Sequence, residues 1–115
     1  MAADVASIVQ AQLDAYNARD LEGFLACYDD DIRIDDGTGQ VMMPNLDAMR
    51  ELYGQLFRQS PQLRCEIKSR VVVGNFVVDE EDASGAKLEG FPESLRAVAI
   101  YRVEDGRIVH VCLLI

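Results

Sequence analysis

Gln59-Ser60-Pro61-Gln62-Leu63-Arg64-Cys65-Glu66-Ile67-Lys68-Ser69-Arg70-Val71 is where the hydrophobic period of this chain changes. Before Pro61, Leu46, Met49, Leu52, Tyr53, Leu56 and Phe57 recur at three- and four-residue intervals, the spacing of one helix face. That helix opens at Pro44-Asn45, runs to about Gln59 and stops at Ser60, because the residue before a proline disfavours helical geometry. After Pro61 the period is two. Leu63, Cys65, Ile67, Ser69, Val71 and Val73 alternate with Arg64, Glu66, Lys68 and Arg70, which predicts a long strand with one wet face.

Upstream of this switch the chain reads as helices, downstream as strands. Val5, Ile8, Val9, Leu13 and Tyr16 form one stripe on a first helix, from Asp4 to about Asn17. Gln12 lies on that stripe, so once buried it needs a partner or a cavity. Asp20 caps a second, short helix carrying Leu21, Phe24, Leu25 and Tyr28. A short strand, Ile32–Asp36, precedes the third helix. Beyond the long strand, Gly74-Asn75 turns the chain into Phe76 to about Asp82. Residues 83–93, with Gly85, Gly90 and Pro92, read as a loop. Leu95–Glu104 and Arg107–Ile115 form a hairpin around Asp105-Gly106. Helices followed by strands imply an α+β fold, with helices packed on one face of an antiparallel sheet.

The chain has 115 residues, the size of a single domain, 1–115. Eleven Lys and Arg against 20 Asp and Glu give a net charge of −9, which disfavours nucleic acid and anionic membrane as partners. One His and three scattered Cys are too few soft ligands for a structural zinc site, so no metal is expected. Cys27, Cys65 and Cys112 lie in apolar segments and read as buried free thiols of a reducing compartment. Met1-Ala2-Ala3-Asp4 begins no signal peptide, and no apolar run is long enough to span a bilayer. A cytoplasmic protein is the expectation.

Tyr16-Asn17-Ala18-Arg19-Asp20-Leu21-Glu22-Gly23-Phe24, Tyr28-Asp29-Asp30-Asp31-Ile32, Met49-Arg50-Glu51-Leu52-Tyr53 and Val98 to Ile108 together resemble the SnoaL-like and steroid delta-isomerase-like proteins of the nuclear transport factor 2-like superfamily. The resemblance runs through nearly the whole chain in order. It implies a cone: a strongly curved antiparallel sheet wrapped around three helices, with a pocket at the wide end. Ketosteroid isomerases of this group place a carboxylate base opposite a Tyr and a protonated Asp that hold the enolate oxygen.

Carried over to this sequence, the base position falls on Asp36, which shares strand parity with Ile32 and Ile34. Asp36-Gly37 also reads as the start of a turn, with the Asp accepting local backbone hydrogen bonds. The donor Tyr is replaced by Gln12 and the protonated Asp by Ala99, while Tyr53 matches the supporting Tyr. Tyr16, one turn from Gln12, is either a second donor or a core tyrosine. Ile34, Met42 and Tyr101 are expected to line the pocket, and burial there would raise the pKa of Asp36.

Glu80, by parity with Phe76 and Val78, is a second candidate carboxylate; the run Asp79-Glu80-Glu81-Asp82 reads equally as a solvated strand end. His110 is expected to face outward. The implied chemistry is proton abstraction next to a carbonyl of a small, apolar or carbonyl-containing ligand, for which no cofactor is needed. A non-catalytic binding or dimerisation module is the alternative. Epoxide hydrolysis needs an Asp–Arg–Asp arrangement that finds no place here. The last strands are apolar on both faces, which predicts a homodimer through the outer face with His110 near the contact.

Overall fold

The computed structural model describes residues 4–115. Helix α1 (Val5–Ala18) is capped by the Asp4 carboxylate on the Ala6 amide, and α2 (Leu21–Leu25) by Asp20 on Gly23. Strand β1 (Tyr28–Asp35) and the short β2 (Val41–Met43) follow. Helix α3 (Leu46–Gln59) is capped by Asn45 on Ala48. Four strands complete the chain: β3 (Arg64–Val73), β4 (Phe76–Ser84), β5 (Ser94–Glu104) and β6 (Arg107–Leu114). The six strands form one sheet in the order β2-β1-β6-β5-β4-β3, antiparallel except for the parallel pair β1–β6. This is the α+β cone expected from the sequence, three helices held in the curve of the sheet.

Three elements differ from the expectation. Strand β2 is too short for a periodicity to register. β1 starts four residues earlier than predicted and ends at Asp35, so Asp36 lies outside it. Among the described residues no helix is long and apolar enough to cross a membrane. The cysteines are free, with Cys65 buried and Cys27 and Cys112 half-buried.

The largest difference is a bulge in β3. Ile67 faces Glu81 across the ladder, but the next paired residue is Ser69, opposite Glu80. Lys68 is the extra residue, and it reverses the parity of everything after it. Val71 and Val73 therefore point to solvent, 55% and 67% exposed, instead of inward. Arg70 turns inward in their place. Its Nε and one Nη bond both oxygens of the fully buried Asp79, at 2.7 and 2.9 Å, and its other Nη reaches Gln10 of α1 at 2.9 Å.

The core lies between α1–α3 and the inner face of β1, β4, β5 and β6. Phe24 is its centre, with ring centroids of Tyr53, Tyr28 and Phe57 at 4.7, 5.1 and 5.6 Å. On β5, Ala97, Ala99, Tyr101 and Val103 face inward, buried, in strict alternation. The two alanines pair across the ladder with Glu81 and Asp79, leaving room beside both carboxylates.

A buried ion pair broken on one side leaves a charge in the core, at a cost of roughly 3–5 kcal/mol. Arg70→Leu is expected to destabilise the protein by about that amount in urea denaturation. Arg70→Leu combined with Asp79→Leu should recover most of the loss. A double variant as unstable as the single one would show that packing, not the orphaned charge, dominates.

Candidate functional site

The helices do not fill the cone. Between α1, α3, β4, β5 and the segment after β4 lies a cavity of about 120 Å³, walled mainly by apolar side chains. That is room for several waters or one small organic molecule. Leu63, Ala86, Phe91 and Pro92 border it beside the Ser84–Glu93 segment, which hydrogen bonds pin down from Lys87 N to Ser60 Oγ and from Ala86 N to Glu93 O.

One wall of the cavity is polar and ordered. The Tyr28 hydroxyl donates to Gln12 Oε1 at 2.9 Å, Gln12 Nε2 donates to the Tyr101 hydroxyl at 3.2 Å, and Tyr101 donates to Glu81 Oε2 at 3.1 Å. Every donor points the same way, so the chain ends on the Glu81 carboxylate, the member that accepts without donating. Gln12 is 4% exposed yet satisfied at both amide ends, the partner its place on the α1 stripe demands.

Burial disfavours the charged form of Glu81 and pushes its pKa from the usual 4.5 up to about 7. The hydrogen bond from Tyr101 and the nearby Arg70 pull it down, and Asp79 adds to the rise. Burial likewise raises the Tyr16 and Tyr53 hydroxyls well above 10, so both are proton donors rather than phenolates at neutral pH. Both line the cavity, and no described hydrogen bond occupies either hydroxyl. Among the described residues no buried side-chain polar atom lacks a partner, so these two hydroxyls open to the cavity space.

The cavity thus gathers Gln12, Tyr16, Tyr53, Ile34 and Tyr101 of the expected residues. Three others lie elsewhere. Asp36 follows the end of β1, after a register shift at Ile34/Asp35, and its Oδ1 accepts from the Thr38 amide at 2.9 Å and the Thr38 hydroxyl at 2.7 Å. It is the turn residue, not a wall of the cavity. The bonds from Thr38 lower its pKa, where burial in a pocket would have raised it. Met42 is exposed on the edge strand β2.

Glu80 faces outward, bonded to Ser69 and Arg96. The parity of β4 is set by Val77, which is fully buried, and not by Phe76, which is 42% exposed. Glu81, two alternations from Val77, is the residue that sequence reading missed. Taking the buried member of the Val77-Val78 pair as the anchor would have found it. His110 faces outward as expected, with Nε2 2.6 Å from Asp35 Oδ2, and it holds the Asp35 carboxyl below its usual range. Among the described residues no group of three or more His, Cys, Asp or Glu is placed to hold a metal ion.

The SnoaL-like domain model matches residues 9–111, most of the chain and every side chain of the polar wall. The chain belongs to the SnoaL-like domain family. Solved structures agree. An uncharacterised cystatin-fold protein from Novosphingobium aromaticivorans superposes with a TM-score of 0.87 at 26% identity, covering 98% of this chain and 99% of that one. A putative polyketide cyclase from Sinorhizobium meliloti gives 0.74 at 17% identity, covering 93% of each chain. A protein from Catenulispora acidiphila with a ketosteroid isomerase-like fold, crystallised with trimethylamine, gives 0.71 at 14%, covering 94% of this chain and 84% of that one. No curated protein sequence matches this SnoaL-like chain significantly.

The position of Glu81 has a measurable consequence for stability. Its folded pKa of about 7 exceeds the ordinary 4.5, so the folded state holds this proton more tightly than the unfolded chain does. The resulting stabilisation is complete below pH 4.5 and is lost as pH rises through 7, roughly 3 kcal/mol in all. Glu81→Gln has no proton to lose. The difference in unfolding free energy between variant and wild type, measured from pH 4 to 8, should therefore swing in favour of the variant. A flat difference would mean that Glu81 titrates as an exposed carboxylate.

Proposed function

We propose that this SnoaL-like protein is a small-molecule enzyme in which Glu81 removes a proton from the carbon next to a carbonyl group of a molecule held in the cavity. The observation that carries the reading is the polar wall: one half-buried carboxylate, fixed by a one-way hydrogen-bond chain, facing a space lined by two unengaged tyrosine hydroxyls. In the step, the C–H bond breaks, its proton goes to Glu81, and its electron pair moves to the carbonyl oxygen as an enolate. Tyr16 and Tyr53 donate hydrogen bonds to that oxygen. Where a C=C bond is conjugated with the enolate, returning the proton from Glu81 to its far carbon completes an isomerisation; attack of the enolate carbon on a second carbonyl, whose oxygen then takes the proton from Glu81, completes a cyclisation.

A base works best when its pKa lies near the operating pH, and Glu81 at about 7 meets that condition. Gln12 and Tyr28 act as positioning residues, since they hold Tyr101 and through it the carboxylate. Family membership and the likeness to a putative polyketide cyclase support a cyclase- or isomerase-like role. The neighbour holding trimethylamine supports a small-molecule site. Binding without chemistry is the competing role, and the test separates the two.

In deuterated buffer with cyclohexanone, the protein is expected to speed exchange of the ketone's α-hydrogens, followed by proton NMR. Glu81→Gln should lower that rate about 10²–10⁴-fold, and Tyr16→Phe or Tyr53→Phe about 10²–10³-fold. Asp36→Asn should leave it unchanged. Exchange no faster than in buffer alone, or an undiminished rate in Glu81→Gln, would leave a binding module as the better account.

We further propose a homodimer through the outer face of the sheet. There Val71, Val78, Val98, Leu114 and Ile115 form a mainly apolar groove edged by Ser69, Glu80 and Arg96, a surface of the kind that associates in water. Light scattering at micromolar concentration should give twice the chain mass, and Val71→Glu with Leu114→Glu should halve it. A monomeric wild type refutes the assembly without touching the cavity.

A further inference from the structure

We propose that the cavity selects its occupant by charge: it admits a ring-sized molecule that is uncharged or carries an ammonium group, and excludes carboxylates and phosphates. The inference rests on reading this cavity as the substrate site, but not on any chemistry occurring there.

Among the described residues, those lining the cavity include no Lys, Arg or His; Glu81 and Glu93 are the carboxylates among them. Glu93 sits towards solvent with the Lys87 ammonium 3.2 Å away, and both side chains are more than half exposed, so water and salt screen that pair. Glu81 is the charge that an occupant meets. The guanidinium whose charge acts on it is that of Arg70, and all three of its nitrogens are engaged, two by Asp79 and one by Gln10. Among the described residues no Lys, Arg or His side chain lines the cavity to receive an incoming anion.

An anion would therefore shed its hydration on entering an apolar space and meet a carboxylate, two penalties of the same sign. A ketone sheds little hydration and finds the hydroxyls of Tyr16 and Tyr53. An ammonium group exchanges water for the Glu81 carboxylate. The net charge of −9 extends the same preference to the approach from solution.

The test uses three molecules on one ring, cyclohexanone, cyclohexylammonium and cyclohexanecarboxylate, titrated into the full chain at pH 8 and followed by NMR shifts of Tyr16 and Tyr53. The ketone and the ammonium are expected to bind, and the carboxylate at least roughly tenfold more weakly than the ketone. Glu81→Gln should strengthen the carboxylate and weaken the ammonium. Asp79→Asn, which frees the Arg70 guanidinium, should strengthen the carboxylate and serves if Glu81→Gln fails to fold.

A carboxylate that binds the wild type as tightly as the ketone overturns the inference. So does a ratio that neither variant moves. Exclusion of carboxylate and ammonium alike would mean selection against any charge, and overturns it too. If none of the three binds, the substrate site itself is refuted along with it. Charge-selective binding without hydrogen exchange would remove only the base assignment of Glu81.

Discussion

A single hydrogen-bond chain crosses the interior of this protein and sets how its layers meet. Tyr28 on β1, Gln12 on α1, Tyr101 on β5 and Glu81 on β4 are linked end to end. Each link spans two different elements, so sliding α1 along the sheet by one turn would break two bonds at once. A buried polar group without a partner costs about 1–3 kcal/mol, which makes such a slide unfavourable. The Arg70 pair ties the same helix to the sheet at a second point, through Gln10. The cavity lies beside this polar wall, while Val9, Val5 and Ile8 pack the rest of α1 against the core.

Bulges are where the sequence stops being readable. The cap at Asp20, the helix start at Pro44-Asn45 and the turn at Asp105-Gly106 act within a few residues, and the local pattern announces them. The helical stripe of α3 and the alternation of β5 are equally plain, because each buries one face only. A bulge has no such signature here. Lys68 is an ordinary polar residue on a strand of alternating charge, and nothing in its neighbours marks it as the extra one. Yet it decides whether Arg70 or Val71 enters the core. The exposed Val71 and Val73 also misled, since unbroken alternation carries them inward past the bulge.

Cavity-lining residues were legible where the periodicity ran unbroken, on the helices and, at Ile34 and Tyr101, on strands. Gln12, Tyr16 and Tyr53 sit on helices whose inward faces follow from spacing, and all three line the cavity. Asp36 and Glu80 depended on carrying strand parity across several residues. For Asp36 the strand ended first, and a short-range bond to Thr38 captured the carboxylate. Its rival reading as a turn residue rested on local chemistry alone, and local chemistry survived. For Glu80 the error was the choice of anchor, a large Phe76 in place of the smaller but fully buried Val77.

The acidic run Asp79-Glu80-Glu81-Asp82 shows how alternation turns one composition into several environments. Glu80 and Asp82 point outward, where Arg96 reaches both and Lys68 reaches Asp82. Water and salt hold such pairs near neutrality in energy. Asp79 and Glu81 point inward, but only Asp79 receives a guanidinium. Glu81 receives a neutral phenol instead. A phenol stabilises a carboxylate far less than a cation does, so the proton stays close to balance at neutral pH. Moving Arg70 from Asp79 to Glu81 would leave the net charge and composition unchanged and produce an inert ion pair facing the cavity. The bulge at Lys68 pairs Arg70 with Asp79, one alternation short of Glu81, and leaves the second carboxylate free to exchange a proton.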